Sequence, residues 1–83
     1  MKIMYFAWLK TRTGVAEEDV TPPADVRDVA GLVDWLRSRS DGHAAAFVDP
    51  SVVRCAVNYE HTDLDHIISP EDEIAFFPPV TGG

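Results

Sequence analysis

The sequence has little of several features that mark whole classes of protein. Its 83 residues contain a single cysteine, Cys55, which excludes an internal disulfide and is too few for a structural zinc site. No apolar run approaches the roughly 20 residues that a membrane-spanning helix needs. The first residues also lack a basic segment followed by a cleavable apolar stretch. We therefore expect one small domain in the cytoplasm, with no membrane association.

Positive charge is scarce as well: seven Lys and Arg residues stand against fourteen Asp and Glu, for a net charge of −7 at neutral pH. The few basic residues are dispersed along the chain, whereas binding to nucleic acid or to anionic lipid requires them in clusters. We therefore expect no nucleic-acid partner. An acidic surface favours steering toward a basic protein partner, although it would also serve simply to keep the chain soluble.

The sequence contains no recognisable catalytic or metal-binding constellation. Its three histidines stand at spacings that match no metal site, so we expect them at the surface and expect no bound metal. Two acidic triplets, Glu17–Asp19 and Glu71–Glu73, lack a neighbouring base and are interpreted as solvated charge. No glycine-rich loop opens a helix, which argues against a phosphate site. Cys55 alternates with Val53 and Val57, as expected of a buried and unreactive thiol.

What the sequence does contain is a succession of short elements typical of an α+β domain. Lys2–Leu9 predicts a strand with apolar residues on both faces, Thr11–Gly14 a turn, and Val15–Val20 a shorter strand ended by two prolines. Val52–Val57 and Glu73–Phe77 predict two further strands, connected by a polar stretch at Asn58–Asp65 and a turn at Ser69–Asp72.

One amphipathic helix is expected between the second and third strands. Val29, Leu32, Val33 and Leu36 stand at i, i+3, i+4 and i+7, and Asp28 precedes them as an N-cap. Asp41-Gly42 is expected to end this helix, and Ala44–Phe47 to form one short helical turn. Because one such helix covers only one face of a sheet, the sequence predicts an α+β fold, a small sheet with one main helix packed on one face.

The segment after the last predicted strand is the most unusual part of the sequence. Pro78-Pro79 stops the strand, and Val80-Thr81-Gly82-Gly83 has nothing to pack against, so we expect a domain at residues 1–79 and a flexible tail at residues 80–83. Because glycine has no Cβ, such a tail could thread a channel too narrow for side chains. Another enzyme could activate its carboxylate as an acyl-adenylate. The alternative from these residues alone is an ordinary frayed terminus.

The last residues, Asp72-Glu73-Ile74-Ala75-Phe76-Phe77-Pro78-Pro79-Val80-Thr81-Gly82-Gly83, resemble the C-terminal signature of the small subunit of molybdopterin synthase, the MoaD family of sulfur carriers. Lys2–Ala7 is similar to the first strand of that family, and Val29–Leu36 is similar to its helix. Ala56–Asn58 and Leu64–His66 resemble its later segments. The resemblance therefore covers most of the chain, and it is loosest at residues 11–25 and 40–51.

The resemblance implies a ubiquitin-like β-grasp fold with a free C-terminal Gly-Gly tail, and it implies a mechanism. An ATP-dependent enzyme that resembles ubiquitin-activating enzymes adenylates the Gly83 carboxylate, and sulfur then replaces the adenylate to give a thiocarboxylate. Val80, Thr81 and Gly82 thread the tail into the active site of the large subunit, where sulfur passes to the cyclic pyranopterin precursor of molybdopterin. ATP serves the activating enzyme, and this chain itself binds no cofactor.

The resemblance also implies two protein partners. One is the large subunit, in a heterotetramer of two small and two large subunits, and the other is the adenylating enzyme. The catalytic side chains belong to the large subunit, so this chain supplies one reacting atom at Gly83 and no general acid or base.

The first predicted strand suggests where the large subunit binds. Met4, Phe6 and Trp8 alternate on one face of that strand, and Lys2 and Lys10 bracket them, which indicates that this face points outward. A small monomer rarely exposes so large an apolar patch unless a partner covers it. We therefore predict a partner interface formed by Met4, Phe6, Phe77, Pro78 and Pro79.

Two other functions remain open at this point. One is a sulfur carrier for another pathway, such as thiamine synthesis or tRNA thiolation, although the Phe-Phe-Pro-Pro segment weighs against it. The other is a ubiquitin-like binding module whose tail does no chemistry. A carrier that held sulfur as a persulfide would use Cys55, which is expected to be buried. The sequence does not indicate whether Trp8 and Trp35 pack on the core or meet a partner.

Overall fold

The computed structural model describes residues 1–79 and shows, within them, one five-stranded sheet with helices packed on one face. The strands are β1 (Lys2–Tyr5), β2 (Glu17–Asp19), β3 (Arg54–Val57), β4 (Glu60–Thr62) and β5 (Glu73–Phe77). The helices are α1 (Trp8–Thr13), α2 (Val29–Arg37) and α3 (Asp41–Ala46), and a 3₁₀ turn at Pro50–Val52 precedes β3. The strand order is β2-β1-β5-β3-β4, antiparallel throughout except for the parallel pair β1 and β5. The predicted α+β class, with a small mixed sheet covered on one face, is confirmed.

The first strand is shorter than predicted. β1 ends at Tyr5, and Trp8–Thr13 forms a helix where the sequence predicts the end of a strand and a turn. Ala7 lies between them with φ 56° and ψ −133°, a conformation that turns the chain sharply. The turn sends Leu9 into the core, where it is fully buried. Because Lys2–Leu9 is apolar on both faces, its alternation could not separate a strand from a buried helical segment.

Helix α2 begins where the sequence predicts and ends earlier. Asp28 is its N-cap, and the Asp28 Oδ1 atom accepts a hydrogen bond of 2.7 Å from the Gly31 amide. The helix stops at Arg37, and Asp41 begins α3 where the prediction had it ending α2. The physical reason is Ser40, whose Oγ caps the first turn of a new helix.

The polar stretch after β3 is predicted as a loop, but it contains strand β4. Asn58 and Tyr59 join β3 to β4 with φ of 50° and 70°, as a two-residue type I′ turn requires. A tyrosine at the position where glycine is usual conceals this hairpin in the sequence. The preceding strand also begins late, at Arg54 instead of Val52, because Pro50–Val52 forms the 3₁₀ turn.

The last strand and its turn match the prediction. β5 covers Glu73–Phe77, and the Asp72 amide donates a hydrogen bond of 3.0 Å to the Ser69 carbonyl oxygen at the predicted turn. The Asp72 carboxylate accepts hydrogen bonds from the Ser69 amide at 2.7 Å and from the Asn58 side chain at 2.9 Å. This member of the second acidic triplet therefore holds a turn together, which goes beyond the solvated charge that was expected.

The core lies between the sheet and the helices. β1 and β5 contribute Ile3, Tyr5, Ile74 and Phe76, none of them more than 2% exposed. The predicted stripe of α2 packs against them, with Val29, Leu32, Val33 and Leu36 all buried. Cys55 is also buried, as predicted.

The two tryptophans pack against the edge of this core. Both are partly buried, and each carries an arginine over its ring, Arg12 at 4.5 Å from Trp8 and Arg39 at 4.9 Å from Trp35. Such cation–π contacts contribute about 0.5–1 kcal/mol at exposed sites. Within the described residues, therefore, the indole rings have structural partners.

A cluster of polar side chains ties β2 to α3 and contradicts two expectations. The Glu18 Oε2 atom accepts hydrogen bonds of 2.7 Å from the Tyr5 hydroxyl and from His43 Nε2. Ser40 Oγ lies 2.7 Å from His43 Nδ1, and the Arg39 guanidinium lies 3.6 Å from the Glu18 carboxylate. His43 is only 8% exposed, so the prediction of a surface histidine is wrong at this position. The interpretation of Glu18 as solvated charge is wrong as well.

The cluster changes the acidity of Glu18. Burial of the carboxylate acts to raise its pKa, but hydrogen bonds from His43 and Tyr5 and the attraction of His43 and Arg39 outweigh burial and lower the pKa below its usual 4.5. The ionised form is therefore favoured by folding. This contribution to stability is fully present above the usual pKa, and it is lost as the pH falls through the lower pKa of the folded state.

We expect the free energy of unfolding to decrease as the pH is lowered through and below the usual glutamate pKa of 4.5, and to decrease less in Glu18→Gln, which has no carboxylate to protonate. Urea denaturation at a series of pH values measures both slopes. Asp34→Asn is the matched control, because Asp34 is 82% exposed and pairs only weakly with Arg37, at 3.7 Å. A Glu18→Gln chain with the pH dependence of the unmodified chain would contradict the assignment.

Candidate functional site

The face of the sheet opposite the helices carries most of the residues predicted to meet a partner. We call it the outer face and define it by Met4, Ala56, Ala75 and Phe77 in the three central strands. Met4 pairs with Ala75, and Ala56 pairs with Ala75 from the other side. The chain neighbours of these residues point into the core, so alternation turns these side chains the other way. Met4, Ala75 and Phe77 are half-buried, and the helices lie on the opposite side of the sheet.

Phe6 extends this apolar surface beyond the end of β1. Its amide donates a hydrogen bond of 3.1 Å to the Phe76 carbonyl oxygen, and its side chain is 49% exposed. Phe6 and Met4 line one concavity of about 390 Å³ together with Lys10 and Glu17. The structure thus brings Met4 and Phe6 together as predicted. Trp8, however, stands on α1 and not in the strand, and Lys10 reaches the concavity from that helix.

The opposite flank of the outer face contains residues that the sequence did not single out. The His61 ring on β4 lies 5.1 Å from the Phe77 ring, centroid to centroid. Arg54 and His61 line a second concavity of about 260 Å³, together with Asp63. The missing signal was strand β4 itself, because only its pairing with β3 places His61 opposite Ala56. His61 is exposed, as predicted.

The remaining predicted site residues follow β5 directly. Pro78 and Pro79 are half-buried and continue from Phe77 at the outer face. The predictions for Val80, Thr81, Gly82 and Gly83 fall outside the residues that the structure describes. The boundary at residue 79 between a domain and a tail therefore stays a prediction.

Charged side chains border the apolar surface on the side of β2. The Lys2 Nζ atom lies 3.0 Å from the Glu17 carboxylate, and this hydrogen bond and charge pairing raise the pKa of Lys2 above its usual value. Both side chains are well exposed, so the pair contributes little to stability. Its position beside Met4 gives the rim of the outer face a mixed charge.

Cys55 is separated from the outer face by the sheet. It is 2% exposed, and its Sγ atom lies 3.4 Å from the Thr62 carbonyl oxygen. A thiol in this position is shielded from reagents and partners. Among residues 1–79 no group of three or more His, Cys, Asp or Glu side chains is arranged to hold a metal ion. No helix in the same range is long and apolar enough to cross a membrane.

The strand order and the helical layer resemble those of several solved structures. A putative molybdopterin converting factor, subunit 1, from Pyrococcus furiosus is 29% identical, with 95% of each chain covered and a TM-score of 0.76. The small archaeal modifier protein 1 of Haloferax volcanii is 26% identical, with 96% of this chain and 97% of that chain covered and a TM-score of 0.77. The fold is therefore the ubiquitin-like β-grasp, as the resemblance implied.

The sequence comparisons identify the family. The sequence profile of the ThiS family matches residues 3–83. The molybdopterin synthase sulfur carrier subunit of Escherichia coli is 36% identical over 83 residues, which are 100% of this chain and 99% of that protein. The subunit of the same name from Homo sapiens is 29% identical and is 93% covered. The chain belongs to the ThiS family, and its resemblance to molybdopterin synthase sulfur carrier subunits is confirmed.

One residue beside the candidate site is strained. Ala7 directly follows Phe6, and its φ of 56° is one that residues with a Cβ rarely adopt. Ala7 is also the N-cap of α1, where it provides no side-chain hydrogen bond to the first helical amides. Its side chain is exposed and so gains little from packing. The turn that orients Phe6 is therefore held against the local preference of its own residue.

We expect Ala7→Gly to raise the free energy of unfolding by about 1 kcal/mol, because glycine adopts a positive φ without steric cost. Urea denaturation measures the change. Ala44→Gly is the matched control, since Ala44 is an exposed residue inside α3 and the same substitution should there lower stability by up to about 1 kcal/mol. The strain assignment fails if both variants lose stability.

Proposed function

We propose that this chain is the sulfur carrier subunit of a molybdopterin synthase in the cytoplasm, with Gly83 as the residue that carries sulfur. The observation that carries the proposal is the full-length similarity to the Escherichia coli sulfur carrier subunit, at 36% identity. The family match extends through residue 83 and so includes the Phe-Phe-Pro-Pro-Val-Thr-Gly-Gly segment. A carrier for thiamine synthesis or tRNA thiolation is the alternative that the experiments below separate.

The proposed chemistry takes place at one carboxylate. An ATP-dependent activating enzyme joins a Gly83 carboxylate oxygen to the α-phosphorus of ATP, and pyrophosphate leaves. A sulfide-equivalent donor then attacks the acyl carbon, the bond to AMP breaks, and a thiocarboxylate remains. In the large subunit the thiocarboxylate sulfur bonds to a carbon of the pyranopterin precursor in place of an oxygen that leaves that carbon, and water then cleaves the acyl–sulfur bond and regenerates the Gly83 carboxylate. Adenylation is needed because an oxide ion is a very poor leaving group and AMP is a good one.

The described residues suit the delivery of such a tail. β5 is hydrogen-bonded to β1 on one side and to β3 on the other, so the strand that precedes the tail is fixed on both sides. Pro78 and Pro79 then restrict the backbone as it leaves the sheet. A reactive group tethered to a rigid base reaches a partner's pocket at high effective concentration. Val80, Thr81 and Gly82 would thread that pocket, whose closure keeps water from the thiocarboxylate.

The outer face supports the choice of partner. Met4, Phe6 and Phe77 present apolar surface around the point where the tail begins, and aromatic side chains are typical anchors of protein interfaces. The net charge of −7 favours a partner with a basic surface. We propose that the large subunit covers this face, in a heterotetramer of two small and two large subunits. The adenylating enzyme would use the same face in turn.

We expect deletion of Gly83, or addition of one residue after it, to abolish formation of molybdopterin, in which the transferred sulfur forms a dithiolene. The chain should stay folded, because only the acyl site is lost or blocked. Gly82→Ala should slow the transfer by crowding the channel, at little cost in stability. The chain is first loaded by incubation with ATP, an activating enzyme and sulfide, and is then mixed with a molybdopterin synthase large subunit and the pyranopterin precursor. Mass analysis of the loaded chain shows whether an oxygen at Gly83 has been replaced by sulfur.

Cys55→Ala is the control for the site of the sulfur. It removes the only thiol and should leave transfer intact, at a cost in stability of about 1 kcal/mol. Loss of transfer in a folded Cys55→Ala chain would move the chemistry to the thiol. Loading at Gly83 without transfer to the precursor in the presence of the large subunit would favour a carrier of another pathway. Full activity of an unprocessed extended chain would contradict the mechanism altogether.

We expect Phe77→Ala to weaken binding to the large subunit by about 30-fold, which corresponds to about 2 kcal/mol for an aromatic anchor. Isothermal titration measures the affinity, and thermal unfolding checks that the variant is folded. Val48→Ala is the control, because Val48 is 66% exposed but lies in the connection between α3 and β3. If Phe77→Ala and Val48→Ala bind alike, the outer face is not the interface.

A further inference from the structure

A groove of about 600 Å³ lies outside the candidate site, between the loop at residues 20–27 and the loop at residues 67–70. Met1 and Ser69 also line it, which places it at the end of the sheet where β1 and β5 begin. The outer-face residue Phe77 and the two following prolines stand at the other end of β5. Nothing in the proposed function uses this groove.

The walls of the groove are mostly apolar, and its charge is of one sign. Val20, Val26, Ile67 and Ile68 line it together with three prolines, and Ile67 is 69% exposed. Arg27 is the charged side chain of the lining, and it is exposed. Within residues 1–79 its guanidinium forms no ion pair. The chain has a net charge of −7, so a positive charge beside this apolar groove differs in sign from the chain as a whole.

We infer that this groove receives residues 80–83 of a second copy of the chain, with the Gly83 carboxylate on the Arg27 guanidinium. The inference rests on the proposed function in one respect, that Gly83 carries a free carboxylate. The segment fits by chemistry: Val80 provides an apolar side chain, and two glycines let the backbone approach the walls closely. The carboxylate matches the planar donor fork of arginine. The volume lies in the range of about 300–1,000 Å³ typical of binding sites for compact ligands.

The tail of the same molecule cannot reach the groove. Four residues extend over at most about 14 Å, and β5 alone has a length of about 13–17 Å. The tail begins two residues past the end of β5, and the groove lies before the start of β5, so the path back is longer than the strand itself and exceeds the reach of four residues. A second molecule is therefore required.

Two molecules can satisfy both contacts at once. Because β5 is the middle strand of the sheet, the two copies would have to stack with their β5 strands antiparallel, which turns the end of each β5 toward the groove end of the other copy. A two-fold axis then relates the two contacts, and the assembly closes as a dimer. Because both copies carry the same net charge, association is weak. Its consequence would be that the Gly83 carboxylate is covered in the dimer, and that the large subunit and the activating enzyme compete with a second carrier for it.

The first experiment isolates the groove. A ¹⁵N-labelled chain lacking residues 80–83 is titrated with the peptide Pro-Pro-Val-Thr-Gly-Gly, as the free acid and as the C-terminal amide. We expect the free acid to shift the backbone amide signals of Thr21, of residues 24–27 and of residues 67–69, and the C-terminal amide to bind at least about five-fold more weakly. Arg27→Gln should weaken binding of the free-acid peptide by a similar factor. Arg37→Gln in α2, outside the groove, should not.

The second experiment uses the full chain. Sedimentation equilibrium should show concentration-dependent dimers that Arg27→Gln and removal of residues 80–83 both weaken. The inference is overturned if the peptide leaves the groove signals unchanged, if it shifts only outer-face residues, or if Arg27→Gln and Arg37→Gln bind it equally. None of these measurements involves ATP, sulfur or a large subunit. A chain that binds the peptide but fails sulfur transfer would refute the proposed function and leave the groove assignment standing.

Discussion

The parallel pairing of β1 with β5 is the contact on which the rest of the structure depends. Ile3 stands opposite Ile74, and Tyr5 stands opposite Phe76, so one register places the four largest inner side chains of the sheet on the same face. The same register places Met4 beside Ala75 on the other face. A slip of one residue would exchange the two sets and expose the core. Core and outer face are therefore not independent properties of the chain, since one set of hydrogen bonds defines both.

The polar cluster and the strained turn show how the short elements around this pair are held. Glu18 lies in the edge strand β2, and its carboxylate accepts hydrogen bonds from Tyr5 in β1 and His43 in α3. These bonds attach the edge of the sheet to α3. Ala7 reverses the chain immediately after β1, so α1 packs back on the core and Phe6 is left on the surface. Stability is thus concentrated on the helical side of the sheet. Among residues 1–79 no helix covers the outer face.

The sequence specified the long elements better than the short ones. β5 was predictable because a short apolar run between two turn segments indicates a strand. The start of α2 was predictable because an N-cap residue precedes an apolar stripe with helical spacing. α1 was not predictable, since residues 3–9 are all apolar or aromatic and a positive φ at alanine leaves no trace in composition. β4 was hidden by a turn whose second residue is Tyr59. The burial of His43 depends on Glu18, which is far away in sequence, so no local pattern could reveal it. On the outer face, Met4 and Phe6 followed from alternation, whereas His61 needed the unrecognised strand.

The position of Cys55 makes its reactivity a measure of how often the folded chain opens. β3 is hydrogen-bonded to β5 on one side and to β4 on the other, and Cys55 faces the core at the middle of this arrangement. Because Cys55 is 2% exposed, a thiol reagent reaches its sulfur only when the structure around β3 opens, for example when the edge strand β4 separates. The rate at which such a reagent labels the native chain therefore times the opening of the sheet centre. Since the sequence holds a single cysteine, the signal comes from one place and needs no engineered probe.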